Sequence, residues 1–132
     1  MSVPVVTASI GETDFRTRLD DGTHTWFADE PASLGGADSA PQPAALLLAS
    51  LGACTSITLR MYAKRKGWAL ESVNVELSMK STAEGTIIDR RIAVAGSLDG
   101  EQRERLLQIA NACPMHKVLS GAIRIDSGLA DA

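Results

Sequence analysis

The stretch PAALLLASLGACTSITLRMYAKRKG, Pro43 to Gly67, constrains the fold of this chain more than any other. Ala44 to Leu59 is sixteen residues without a charge, preceded by a proline of the kind helices accept in their first turn. The run reads as one long helix from Pro43 to Lys66, with Gly67 as its stop. It falls short of the roughly 20 apolar residues a membrane span needs, and it carries Ser50, Thr55, Ser56 and Thr58 and continues into Arg60. The expectation is a helix buried by its own protein on most sides. Leu47, Leu51, Cys54, Thr58 and Met61 keep the four-three spacing of one helix face, which places Cys54 on an inward stripe. Lys64, Arg65 and Lys66 suit the negative end of the helix dipole, and Arg60 reads as a surface or dimer-contact charge.

A helix this apolar needs a sheet to cover it, and the flanking sequence supplies strand signals. Val3 to Ile10, Phe15 to Leu19 and Thr23 to Ala28 read as a small antiparallel meander, with Asp20-Asp21-Gly22 as a tight turn. DEPASLGGADSAPQP, Asp29 to Pro43, holds three prolines and two adjacent glycines and must form an ordered loop. Val73 to Lys80 alternates cleanly, and Ile87 to Ala95 is its hairpin partner across STAEGT. Asp99 with Gln102 makes a capping box for a helix through about Ala112. Pro114 to Leu119 is a short further helix, and Ala122 to Asp126 a last strand. The order is β-β-β-α-β-β-α-α-β, an α+β chain expected to form a single domain over residues 1–132.

Charge and composition narrow the function classes. A formal charge of −3 gives no long-range attraction to nucleic acid or an anionic membrane. MSVPVVTASIGE lacks the basic and apolar segments of a secretion signal, so the expected location is cytoplasmic. Two cysteines in a reducing compartment make a permanent staple unexpected and leave a transient disulfide open. Cys113-x-x-His116 with Cys54 lacks a fourth ligand for structural zinc, and His24 on a strand does not complete the set, so no metal is expected. No nucleotide or flavin motif and no G-x-S-x-G occurs, so no organic cofactor is expected either.

The two thiols read differently. Cys113 falls at the N-cap of the Pro114 helix, where unpaired N–H groups favour a thiolate, and His116 and Lys117 stand near enough in sequence to add positive charge. Cys54, mid-helix among leucines, has no cation or donor aimed at it by local sequence and taken alone looks inert. Free cysteine is also among the most buried residue types, so packing is the alternative to chemistry for both.

Three segments together carry a resemblance. ADEPASLGGADSAPQPAALLLASLGACTSITLRMYAKRKGW, VNVELSM and DRRIAVAGSLDGEQRERLLQIANACPMHKVLSGAIRI closely resemble the OsmC and organic hydroperoxide resistance family, most specifically in the LGG loop, the LLLASLGAC helix and the second cysteine before proline. The resemblance implies an OsmC-like fold with antiparallel sheets around the buried helix, in an intertwined homodimer. It implies a thiol-dependent peroxidase with Cys54 in the peroxidatic and Cys113 in the resolving position, joined in a disulfide that an external dithiol reopens. In the family an acidic residue some nine or ten positions before the first cysteine works with an N-terminal arginine to activate that thiol. Here those positions are Ala44 and Ala45, and the arginine candidates are Arg16 and Arg18. The loss of the acid keeps a second hypothesis open: a non-catalytic protein of the same fold that binds a small apolar ligand at a dimer interface.

Overall fold

The computed structural model describes residues 2–130. The chain divides into two compact units, residues 1–49 and 50–132, with the division inside the long helix.

In the first unit, β1 (Thr7–Ile10), β2 (Thr17–Asp20) and β3 (Thr25–Ala28) form an antiparallel sheet in the order β1-β2-β3. The β2–β3 turn forms because Asp21 closes it. Its carboxylate accepts from the backbone N–H of His24 at 2.6 Å and of Thr23 at 2.9 Å, while Gly22 takes a φ of +93°. These bonds, that of His24 foremost, hold the Asp21 carboxyl down at about 2. The loop after β3 is ordered around another carboxylate. Asp29, only 2% exposed, accepts from the Ser39 hydroxyl at 2.6 Å, Ser39 N–H at 3.1 Å and Glu30 N–H at 2.8 Å. Gly36 of the LGG loop passes so close that a Cβ there would lie 1.9 Å from the Glu30 carbonyl oxygen. The loop's turn chemistry therefore depends on glycine for space.

Helix α1 runs over Pro43–Lys66, as its proline and glycine boundaries predict, and Gly67 leaves it with φ +70°. In the second unit the rest of α1 is joined by the antiparallel hairpin of β4 (Ala69–Thr82) and β5 (Gly85–Ser97), then by α2 (Gly100–Ala110) and α3 (Pro114–Ser120). The hairpin pairs Val73 with Val94, Val75 with Ile92 and Leu77 with Arg90, so these side chains share one face of the ladder. Leu59, Tyr62 and Ala63 of α1 meet Leu70, Leu106 and Ala110 in the core, with Ile92 and Val94 packed against them. The expected capping box starts α2: Asp99 accepts from Gln102 N–H at 2.7 Å and Gln102 accepts from Asp99 N–H at 2.9 Å.

Three expectations are corrected. The buried residues of α1 are Leu51, Thr55, Leu59, Tyr62 and Ala63, not the stripe through Cys54 and Met61. Met61 is 66% exposed and Cys54 half-buried on the flank of the true stripe. A helix apolar all round offers no polar face to set its phase, so spacing alone selects the wrong register. Second, the helix is covered along one side only, not on most sides. Among the described residues it is the one helix long and apolar enough to cross a membrane by length and composition. Third, residues 122–126 form no strand. Their alternation is present, but a ladder needs a partner strand to take its N–H and C=O groups. Arg60 is exposed, as expected of a surface charge, and its guanidinium donates to the carbonyls of Leu70 at 2.5 Å and Glu71 at 3.0 Å.

Those two carbonyls lie where the β4–β5 register shifts between Leu70 and Ser72. Opposite this bulge, Gly96 takes φ +133°, and a Cβ on it would stand 2.0 Å from the Ala69 carbonyl oxygen. Gly96→Ala is expected to lower stability by about 1–3 kcal/mol. Gly100→Ala, whose Cβ meets nothing within 4 Å, should stay within about 0.5 kcal/mol of the natural chain. Urea midpoints of the two variants check the contrast.

Candidate functional site

The second unit brings the two cysteines together. Cys54 is on α1 and Cys113 in the turn between α2 and α3; both are free thiols, and the Cys54 side chain stands near enough to act on the Cys113 thiol. Cys113 is fully buried. It is the N-cap of α3, as the sequence predicts, with Pro114 as first helical residue and Sγ accepting from His116 N–H at 3.4 Å. The exposed thiol edge is therefore that of Cys54.

Beside the pair lies Arg90, which the sequence reading passed over. From β5 its Nη1 donates to Thr55 Oγ1 of α1 at 3.0 Å. Its Nη2 donates to Asn111 Oδ1 at 3.0 Å and to His116 Nδ1 at 3.1 Å, so one guanidinium joins β5, α1, the end of α2 and α3. Thr55, fully buried, donates to the Leu51 carbonyl at 2.7 Å and has its Oγ1 3.9 Å from Cys113 Sγ. A guanidinium can only donate, so His116 Nδ1 accepts and its ring proton sits on Nε2. The positive charge beside Cys113 is thus that of Arg90 rather than of His116, and Lys117 is exposed.

These contacts act on the thiol in opposite directions. Burial, the largest single influence, pushes Cys113 up; the His116 N–H, the Cys54 and Thr55 side chains and the Arg90 charge together outweigh it and leave the thiol below its ordinary value. A signal for Arg90 was present in the sequence. It shares a strand face with Ile88, Ile92 and Val94, and a charge at an apolar phase of a half-buried strand calls for a partner inside.

Arg90, Asn111 and His116 also line a cavity of about 410 Å³, walled by aliphatic side chains that include Leu51, Ile88, Ile92 and Leu119. The arginines singled out in the sequence lie in the first unit. Arg16 donates to Ser39 Oγ at 2.8 Å and stacks 4.0 Å from the Phe27 ring centre, both neutral partners. Arg18 faces the Asp20 carboxylate at 2.8 Å. In the same unit the Asp29 carboxylate is held by its three loop bonds.

The family model described as OsmC-like protein matches residues 36–128. No curated protein matches the sequence. Among solved structures, an OsmC-like protein of Mycoplasma pneumoniae superposes with a TM-score of 0.78 at 17% identity, covering 91% of this chain and 89% of that one. An organic hydroperoxide resistance protein OsmC of Legionella pneumophila gives a TM-score of 0.66 at 25% identity, covering 92% and 91%. The organic hydroperoxide resistance protein OhrB of Bacillus subtilis gives 0.64 at 24%, covering 91% and 92%. The α+β arrangement is therefore an OsmC-like fold.

Linkage gives the site a pH signature. Because folding lowers Cys113, its contribution to stability is fully present above the ordinary thiol value of 9.0 and is lost as pH falls through the lowered one. The urea midpoint of the natural chain, relative to Cys113→Ser, is expected to rise as pH increases across that window.

Proposed function

We propose that this chain, which belongs to the OsmC-like protein family, is a thiol-dependent peroxidase that reduces organic hydroperoxides, or hydrogen peroxide, through a reversible Cys54–Cys113 disulfide. The Cys54 thiolate attacks one peroxide oxygen; the S–O bond forms, the O–O bond breaks, and the leaving alkoxide takes a proton to become the alcohol. Cys54 is then a sulfenic acid. The Cys113 thiolate attacks its sulfur, forming the S–S bond and releasing hydroxide, which is protonated to water. An external dithiol, itself oxidised to a disulfide, returns both cysteines to thiols.

The observation that carries this reading is the proximity of two free thiols from distant parts of the sequence, one half-buried and one buried. The resolving thiol stands ready where the sulfenic acid would form, and Leu51, Ile88, Ile92 and Leu119 on the apolar side of the neighbouring cavity suit an alkyl tail. For the cation that serves Cys54 we favour Arg16 over Arg18, because its partners are neutral and its charge is unspent, whereas Arg18 is paired with Asp20. The reading includes a homodimer: Ile57 and Met61 leave apolar helix surface exposed at 57% and 66%, which a second copy would cover. It also includes a cytoplasmic location, where a reducing pool reopens the disulfide. Ala44 and Ala45, standing where the family places an acid, favour the second reading of a non-catalytic protein holding a small apolar ligand at its dimer interface.

Consumption of cumene hydroperoxide with a dithiol supplied separates them. Turnover should fall to the level of free dithiol in Cys54→Ser, and Cys113→Ser should accumulate a trappable sulfenic acid. Arg16→Ala should lower kcat/KM by about 10²-fold, with a much smaller loss in Arg18→Ala. A natural protein with no turnover above free dithiol overturns the peroxidase in favour of the ligand-binding reading. Sedimentation as a monomer removes the dimer.

A further inference from the structure

Arg90 is a half-buried cation that enters no ion pair among the described residues. Its three side-chain partners, Thr55, Asn111 and His116, are all neutral acceptors, which leave the guanidinium charge uncompensated. Two of those partners also touch one sulfur. Thr55 Oγ1 lies 3.9 Å from Cys113 Sγ, and His116 N–H donates to it at 3.4 Å. The charge therefore has one group nearby that can become its counter-ion, and the bridging groups already point at that group.

From this we propose that Arg90 is a positioning residue that stabilises the Cys113 thiolate through Thr55 and His116, so that Cys113 is the sulfur released when an external thiol opens the Cys54–Cys113 bond. The proposal rests on the peroxidase reading for its place in turnover, though not for its physical basis. Arg90 donates into the Thr55 oxygen, which polarises the hydroxyl; as Cys113 becomes charged, that hydroxyl turns its proton from the Leu51 carbonyl to Sγ. Arg90 also fixes the His116 ring, which steadies the first turn of α3 and its N–H against the same sulfur.

Accessibility gives the same direction. Cys113 is fully buried and Cys54 half-exposed, so an incoming thiolate reaches Cys54. Its attack forms a new S–S bond at Cys54 and breaks the bond to Cys113, which leaves with the electron pair. The more stabilised thiolate leaves faster. The second thiol of the dithiol then displaces Cys54 as a thiolate, closing the reductant's own disulfide. The titratable or charged groups facing Cys113 are Cys54 from α1, Arg90 from β5 and His116 from α3, while α2 ends in the neutral Asn111.

The test titrates Cys113 alone, by thiolate absorbance at 240 nm in the Cys54→Ser chain, and uses neither peroxide nor turnover. Arg90→Gln should raise the titration midpoint by about one pH unit, and Arg90→Lys should recover part of it. An unchanged midpoint in a folded Arg90→Gln chain reduces Arg90 to a structural clamp and overturns the proposal. Should Arg90→Gln lose its helical circular dichroism, Thr55→Val, which keeps the buried shape and removes the bridging hydroxyl, carries the same expectation of a rise, and no rise overturns the proposal. In the natural chain oxidised with diamide, a chromogenic monothiol should be found on Cys54 by peptide mass; an adduct on Cys113 equally overturns it. Failure of the peroxidase reading would show separately, as absent turnover with the titration shifts intact.

Discussion

A guanidinium carries five N–H groups and no acceptor, so whatever surrounds Arg90 must turn lone pairs toward it. The second unit meets that demand with one side chain from each of three helical segments: the Thr55 hydroxyl, the Asn111 amide oxygen and the His116 ring. Each bond is ordinary, but together they fix the distance from β5 to α1, the point where α2 stops and the orientation of α3. Cys113 sits between the last two of these anchors, and Cys54 immediately precedes the first. The meeting of the two thiols is thus a by-product of how one cation is solvated.

The thiols are not equivalent, and the difference follows from which element carries each. An N-cap position gives Cys113 a backbone donor, and burial removes it from solvent. A flank position on α1 gives Cys54 an open edge. Burial and donation oppose each other at Cys113, and donation wins because several short-range groups act on one atom. Had Cys54 occupied the stripe now held by Thr55, both cysteines would be shut away from solvent.

What was legible in the sequence was local. The capping box at Asp99 and Gln102, the N-cap setting of Cys113, the proline and glycine limits of α1 and the Asp21 turn each depend on residues a few positions apart, and each stands as read. The pairing of the cysteines came only as what the resemblance to a known family implies, since no local pattern points to it. What failed needed a partner or a phase. The α1 stripe was misplaced because leucine and alanine surround the helix, and residues 122–126 had the alternation of a strand without a neighbour. Arg90 was missed because its meaning lies in Thr55, Asn111 and His116, none of them near it in sequence.

The register of β5 carries one more consequence. Arg90 occupies a phase otherwise filled by Ile88, Ile92 and Val94, opposite Leu77. An aliphatic residue there would suit the hairpin alone, but it would cut the links from β5 to Thr55, Asn111 and His116 and leave the half-buried His116 ring without its donor. The arginine marks a place where the preference of one strand and the needs of the three elements around it pull the same codon in opposite directions.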